Sequence, residues 1–134
     1  MKYKVIDIKE FNDSDGSLFV LEKSKELPFD VKRLFYICNV PDGAIRASHA
    51  CMNADLLLVP VSGSVNIFLN DGTHKADIKM FNRNKGLYVS QGIWLEAKDF
   101  SKDCVLLILS NKKYEECEYI DCYDQYINIQ NSTL

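Results

Sequence analysis

The sequence predicts an all-β domain of the sandwich or barrel class, and three observations support this. The candidate segments are short, rich in β-branched and aromatic residues, and separated by turn signals. Residues 70–73 read Asn-Asp-Gly-Thr, and an Asp-Gly pair tolerates the positive φ angles of a tight hairpin. A helical pattern is confined to one late segment. The strand pattern alone does not separate a jelly roll from other β folds.

Strands are expected along most of the chain. In order, they cover residues 4–8, 17–22, 31–39, 56–61, 64–69, 75–80, 86–89, 93–97 and 104–109. Further turns are expected at residues 41–43, which read Pro-Asp-Gly, and at residues 62–63, which read Ser-Gly.

The segment after the last strand differs in character. Residues 111–126 carry charge and tyrosine, and Tyr119, Tyr123 and Tyr126 fall on one helical face. We therefore predict a short helix packed on the barrel. Residues 132–134 are expected to form a disordered tail.

Composition limits the class of protein. The 134 residues suffice for a single domain, 1–134, and 47% hydrophobic residues argue against disorder. A net charge of −3 argues against a general nucleic-acid partner. No apolar run is long enough for a signal peptide or a bilayer span, so no membrane partner and a cytoplasmic location are expected. Five cysteines without CxxC spacing fit reduced thiols.

The segment Arg46–Cys51 is the first that could carry chemistry. On a strand, side chains two residues apart share a face, so His49 and Cys51 would point the same way. His49 is either a hydrogen-bonded histidine at the edge of the core or a proton-transfer group. Cys51 fits a small buried apolar residue better than a nucleophile, because no second histidine is near in sequence.

Two further segments qualify. Alternation places Arg33, Phe35 and Ile37 on one strand face and Tyr36 on the other. An arginine inside a barrel requires an anion, and a diphosphate fits bidentately; the alternative is a salt bridge on the rim. Trp94, after the Gln-Gly turn at residues 91–92, is either core or packs on a sugar or base at the barrel mouth.

At these segments the chain resembles a known family, the sugar 3,4-ketoisomerases of the WxcM-like cupin group, which act on dTDP-4-keto-6-deoxyglucose. The resemblance covers about residues 17–126 in one continuous order. It rests on residues 16–18, 28–37, 61–64, 70–72, 85–88, 92–94, 99–101, 104–110 and 119–124.

The resemblance implies a cupin-like jelly-roll β-barrel with a short C-terminal helix. It also implies a homodimer with exchanged strands and chemistry that requires no metal or other cofactor. In this family, histidines of a motif like Arg-Gly-x-His-Ala-His move protons between C3 and C4 of the sugar through an enediol. Arginines and aromatic residues hold the nucleotide, and cell-surface polysaccharide synthesis is the expected pathway.

The motif matches this chain in part. Arg46 and His49 are retained, Ala47 replaces the glycine, and Cys51 replaces the second histidine. Two residues further along also differ from the family, with Met52 at a lysine position and Leu56 at a common glutamine position. Leu56 also stands where a metal-binding cupin has a ligand glutamate, and the last metal-ligand position falls on Leu95 or Glu96. We therefore expect no metal site.

The resemblance implies an isomerase that interconverts the 4-keto and 3-keto forms of a dTDP-linked 6-deoxyhexose. The alternative is a catalytically degenerate member that binds a nucleotide sugar or partners an active paralogue, because the substitutions surround the pocket. The expected catalytic residues are His49 and Tyr36, and the expected substrate-binding residues are Arg33, Arg46, Cys51 and Trp94.

Overall fold

The structure, a computed structural model, describes residues 1–132, which are almost entirely β. Besides the strands, these residues contain a short 3-10 turn, Tyr114–Glu116, and one helix, α1 (Tyr123–Ser132). The strands in chain order are β1 (Tyr3–Asp7), β2 (Lys9–Asp13), β3 (Gly16–Val20), β4 (Arg33–Ile37), β5 (Arg46–Cys51), β6 (Leu56–Ser62), β7 (Val65–Asn70), β8 (Lys75–Met80), β9 (Lys85–Val89), β10 (Trp94–Lys98), β11 (Val105–Ser110) and β12 (Tyr119–Ile120).

Ten of these strands form two five-stranded antiparallel sheets. The first has the order β1-β9-β6-β11-β4, and the second has the order β12-β5-β10-β7-β8. Within residues 1–132 no ladder joins the two sheets. The layers therefore face each other as a flattened barrel whose edges are not closed.

The main core lies between the facing sides of the two sheets. Leu58 and Leu106 from the first sheet are fully buried in one cluster with Ile67 and Leu69 from the second. Burying such a side chain contributes about 1.5–3 kcal/mol, so these alternate residues fix which face of each strand points inward.

The outer faces of the sheets are covered differently. Leu27 and Phe29, from the segment before β4, pack on Leu57 and Val59 of the first sheet. Helix α1 covers the second sheet, where the hydroxyl of the buried Tyr126 donates to main-chain carbonyls 3.0 Å and 2.6 Å away. The second sheet therefore presents one face to the core and the other to the helix.

The β2–β3 hairpin stands apart from both sheets. Phe11 and Leu18 are cross-strand partners in this hairpin. Their side chains are 56% and 61% exposed. An apolar pair this exposed on a two-stranded sheet lacks the packing that normally stabilises a hairpin.

Most strand predictions agree with the structure within a few residues, and the hairpin turn at residues 70–73 is confirmed between β7 and β8. The Gly72 backbone has φ +101° and packs against Gln130 of α1, whose side-chain amide donates to the Asp71 carbonyl at 2.7 Å. The strands β2 and β12 were not predicted, and β5 was expected only through the strand alternation of His49 and Cys51.

Two predictions about the end of the chain need correction. The helix begins at Tyr123, so Tyr119 lies on β12 and not on the helical face that its spacing indicated. Ser132, expected in a disordered tail, is the last residue of α1. The rest of that tail, residues 133–134, lies outside the described residues.

Among residues 1–132, no helix has the length and apolar character needed to span a bilayer.

Candidate active site

A cavity of about 540 Å³ opens between the two sheets, within the size range of small-molecule sites. Strands β4, β5 and β12 contribute most of its polar groups, Tyr114 and Asp121 lie on the segments flanking β12, and leucine and isoleucine side chains form much of its wall. The residues around it are Arg33, Phe35, Tyr36, Ile37, Ile45, Arg46, Ala47, His49, Cys51, Leu56, Leu95, Ile108, Tyr114, Tyr119 and Asp121.

His49 is one of the residues that line this cavity. It is partly buried on β5, directly across the ladder from Leu95. Its Nδ1 is buried and has no hydrogen-bond partner among the described residues. Burial lowers the pKa of His49 below its ordinary value of 6.5, and the Arg33 charge adds to this, while its own backbone and the Asp121 carboxylate oppose it. The imidazole is therefore mainly neutral at pH 7 and able to accept a proton.

Arg33 is held by aromatic rings on the same side of the cavity. Its guanidinium carbon lies 4.2 Å from the centre of the Phe35 ring and 4.9 Å from that of Tyr114. Its Nη1 donates a hydrogen bond of 2.7 Å to the Tyr119 hydroxyl. Among the described residues, no carboxylate lies within salt-bridge distance of Arg33. The rim salt bridge considered from the sequence is therefore absent from this part of the chain.

Tyr119 is a site residue that the sequence reasoning assigned elsewhere. On β12 it pairs with Cys51 of β5, and its ring meets the His49 ring edge-on with the centres 4.8 Å apart. The Asn53 side chain anchors the backbone just before β12. It donates to the Glu116 carbonyl and accepts from the Glu118 backbone N–H, both at 2.9 Å. The sequence signal for this pairing is the polar Asn53, two residues after the end of β5.

Arg46 and Ala47 mark a distortion at the start of β5. Arg46 is exposed at the cavity mouth and, like Arg33, has no salt-bridge partner among the described residues. Ala47 and Ser48 have φ angles of 72° and 53°, and the ladder to β10 shifts register at this point. A β-bulge of this kind re-aims the side chains next to it, here Arg46 and His49.

Cys51 lines the cavity but is chemically quiet. Its side chain is only 5% exposed, and its Sγ lies 3.7 Å from Asn53 Oδ1. Burial, and after it the neighbouring Cys117 thiol, raises the pKa of Cys51 to about 12. The thiol stays protonated at neutral pH and is not a nucleophile there.

The structure separates two other predicted site residues from the centre of the cavity. The Tyr36 side chain is 64% exposed on the face of β4 opposite Arg33 and Phe35, although the residue borders the cavity. Trp94 is only 2% exposed and packs edge-on against Tyr123 of α1. Its side chain lies outside the cavity, so the core interpretation holds and the substrate-binding assignment of Trp94 is corrected.

The cavity does not offer a metal-ligand set. Among residues 1–132, no group of three or more His, Cys, Asp or Glu is arranged to hold a metal ion. Leu56 and Leu95 occupy wall positions at which a metal-binding cupin needs donors. Glu96 instead accepts a hydrogen bond of 2.9 Å from the Trp94 indole.

Comparison with known proteins gives one consistent likeness. A family model described as "FdtA: WxcM-like, C-terminal" matches residues 1–131. A TDP-4-oxo-6-deoxy-alpha-D-glucose-3,4-oxoisomerase from Aneurinibacillus thermoaerophilus is 38% identical over 126 residues, which cover 94% of this chain and 91% of that protein.

Solved structures agree. WlaRA, a TDP-fucose-3,4-ketoisomerase from Campylobacter jejuni, is 38% identical with a TM-score of 0.91, covering 98% of each chain. A 3,4-ketoisomerase from Helicobacter canadensis is 37% identical with a TM-score of 0.92, covering 98% of each chain. QdtA, a sugar 3,4-ketoisomerase from Thermoanaerobacterium thermosaccharolyticum in complex with TDP, is 32% identical with a TM-score of 0.91, covering 98% of this chain and 96% of that chain. The expected all-β, cupin-like fold is thus confirmed.

Proposed function

This chain belongs to the WxcM-like, C-terminal (FdtA) family, and from that premise we propose that it is a TDP-sugar 3,4-ketoisomerase. It interconverts the 4-keto and 3-keto forms of a TDP-linked 6-deoxyhexose. The single observation that carries the proposal is the neutral, partly buried imidazole of His49 beside an arginine that has no carboxylate partner, in one cavity.

The reaction moves a carbonyl by one carbon through proton transfer. His49 takes the proton from C3, the electron pair of that C–H bond forms a C3=C4 double bond, and the C4 carbonyl oxygen gains a proton. The resulting enediol then loses the proton of the C3 hydroxyl, the C3 carbonyl forms, and C4 gains a proton. A base with a pKa near or below neutrality suits this step, and burial sets that pKa in His49.

Arg33 and Arg46 are proposed to hold the diphosphate. Arginine binds phosphate oxygens in pairs, and neither side chain has a carboxylate partner among residues 1–132. The rings of Phe35 and Tyr114 hold the Arg33 guanidinium in place before the ligand arrives. That preorganisation lowers the entropy cost of binding.

Cys51 and Tyr36 take smaller parts in this proposal. Cys51 contributes an uncharged cavity wall, since its thiol stays protonated. Tyr36 remains a proposed polar helper at the cavity border, on the outward face of β4. No observation favours the alternative of a degenerate protein, although the replacement of the second histidine by Cys51 motivated it.

We also propose that the chain forms a homodimer by exchanging its β2–β3 hairpin. The hairpin pairs with neither sheet, and its Phe11 and Leu18 are exposed. Strand β4 is a sheet edge that carries exposed Leu34 and Tyr36. Unpaired edges and apolar faces of this kind are usually covered by a partner.

The cytoplasm is the proposed location, and cell-surface polysaccharide synthesis is the proposed pathway. All five cysteines are unpaired in the structure, which fits a reducing compartment.

The testing experiment follows solvent deuterium into TDP-4-keto-6-deoxyglucose by NMR. The natural protein should place deuterium at the carbons that exchange protons and should convert the 4-keto signal into a 3-keto signal. An absence of both exchange and conversion, with TDP still bound, would contradict the proposed activity.

A further inference from the structure

The proposed isomerisation needs an acid for the carbonyl oxygen as well as a base for the carbon. His49 supplies the base. Arginine does not give up its proton in proteins, so neither Arg33 nor Arg46 is an acid. The Cys51 thiol is a weak donor and lies against Asn53 Oδ1. The hydroxyl of Tyr36 lies on the outward face of β4.

The other polar side chains around the cavity are Tyr114, Tyr119 and Asp121. Tyr114 and Asp121 are exposed, whereas Tyr119 is half-buried and lies next to the base. Its ring centre is 4.8 Å from that of His49, and both residues line the same cavity. The β12–β5 pairing and the two hydrogen bonds of Asn53 set this distance, because they fix the backbone that carries Tyr119 relative to the strand that carries His49. A C–C bond of a bound sugar can therefore contact both side chains at once.

The surroundings of the Tyr119 hydroxyl favour donation of its proton. Arg33 Nη1 donates to the phenol oxygen at 2.7 Å, which uses an acceptor lone pair and leaves the O–H proton for another acceptor. The Cys117 thiol also contacts the phenol, but sulfur is a weak acceptor compared with a carbonyl oxygen. The fixed guanidinium stabilises the negative charge that develops on the phenol oxygen as its proton leaves.

We propose that Tyr119 is a catalytic acid of this site, which protonates the C4 oxygen of the sugar while His49 removes the proton from C3. The C3–H bond breaks, its electron pair forms the C3=C4 bond, and the carbonyl electron pair takes the phenol proton. In the second half the phenolate accepts the proton of the C3 hydroxyl, the C3 carbonyl forms, and the imidazolium returns its proton to C4. No oxidant or reductant is needed. This inference rests on the proposed function.

The first test is Tyr119→Phe, which keeps the ring contact with His49 and removes the hydroxyl. We expect kcat and deuterium exchange to fall by about 100-fold or more, the scale of one acid–base group. The affinity for TDP should change by less than about 2-fold, because the rings that hold Arg33 remain. Tyr3→Phe is the matched control, since it removes one hydroxyl from an exposed tyrosine of β1 that lies outside the cavity lining; its kcat should equal that of the natural protein.

The second test replaces Tyr119 with a fluorinated tyrosine, whose phenol ionises at lower pH. Burial raises the pKa of Tyr119 above its ordinary value, with the Arg33 hydrogen bond opposing and Cys117 adding to it. The acid must be protonated, so the loss of kcat with rising pH should begin at lower pH with fluorotyrosine at 119. The same replacement at Tyr3, outside the cavity lining, should leave the profile unchanged.

The outcomes are distinguishable. An active natural protein whose Tyr119→Phe variant keeps its kcat, or loses only affinity, would overturn the role of Tyr119 and leave the isomerase proposal standing. An unmoved pH profile with fluorotyrosine would do the same. No exchange by the natural protein would overturn the proposed function and the role of Tyr119 together.

Discussion

His49 and Leu95 face each other across the β5–β10 ladder, and both line the cavity. The apolar leucine forms part of the wall on the strand next to the imidazole. Burial of the imidazole in the cavity wall is the largest cause of the lowered pKa of His49. The pairing also places a hydrocarbon side chain where a second donor for a metal would be needed.

We therefore expect the purified protein to contain no stoichiometric metal. Catalytic zinc sites use three protein ligands, whereas Leu56 and Leu95 occupy the corresponding wall and the Cys51 thiol stays protonated. Elemental analysis of protein prepared without a metal-affinity tag measures this. About one equivalent of zinc, iron or manganese per chain would contradict a metal-free mechanism.

His49→Asn should abolish isomerisation while TDP affinity stays nearly unchanged, because asparagine does not titrate and the arginines still hold the nucleotide.

In the natural protein the base must be neutral. The pKa of His49 is lowered from its ordinary value of 6.5, so the imidazole is neutral at pH 7. We therefore expect kcat/KM to be at its maximum at pH 7 and to fall only below about pH 6.5. NMR exchange across a pH series measures both effects. Exchange that survives His49→Asn would remove His49 from the mechanism.

Arg33→Ala should weaken TDP binding by about 1–3 kcal/mol, the scale of a lost charge-assisted contact. Calorimetry with TDP measures the change. Lys79→Ala on the exposed side of β8 is the control, because it removes the same charge far from the cavity lining. Equal affinities of the Arg33 and Lys79 variants would assign Arg33 to packing among Phe35 and Tyr114 alone.

Ala47→Gly should stabilise the fold by about 0.5–1 kcal/mol. Ala47 has φ 72°, a left-handed conformation that costs an L-residue about 1–2 kcal/mol, and glycine recovers this less its larger unfolded entropy. Ala76→Gly on β8, which lacks a positive φ, should instead destabilise by about 0.5–1 kcal/mol. Urea unfolding of the two variants gives both numbers, and two changes of the same sign would contradict the strain at Ala47.

Light scattering at micromolar concentration should give the mass of a dimer. Leu18→Lys should shift the population toward monomer, since it places a charge in the apolar pair that the hairpin would bury against a partner. A clean monomer of the natural protein would argue that Phe11 and Leu18 stay exposed in solution.

Several features of the site followed from the sequence because they depend on local rules. Alternation along β4 correctly placed Arg33 and Phe35 on one face and Tyr36 on the other. The Asp-Gly pair fixed the β7–β8 turn through its φ preference. These properties need only the period of a strand or the conformation of one residue.

Other features depend on contacts between distant segments. The spacing of Tyr119, Tyr123 and Tyr126 fits a helix. In the structure, however, Asn53 is hydrogen-bonded to the backbone of residues 116 and 118, and Tyr119 pairs with Cys51 as a strand residue. The face of Trp94 was undetermined because the β5–β10 register alone sends Leu95 inward and Trp94 toward α1. Local periodicity predicts neither the hydrogen bonds of Asn53 nor the β5–β10 register.

Trp94 is the only tryptophan of the chain, and its side chain packs from β10 against the tyrosines of α1. Its fluorescence therefore reports on the docking of the helix, while the strand neighbour Leu95 faces the cavity. A red shift of the Trp94 emission before the sheets unfold would show that α1 detaches before the barrel is lost. The chain thus carries a built-in optical probe of how its last segment attaches, without any label being added.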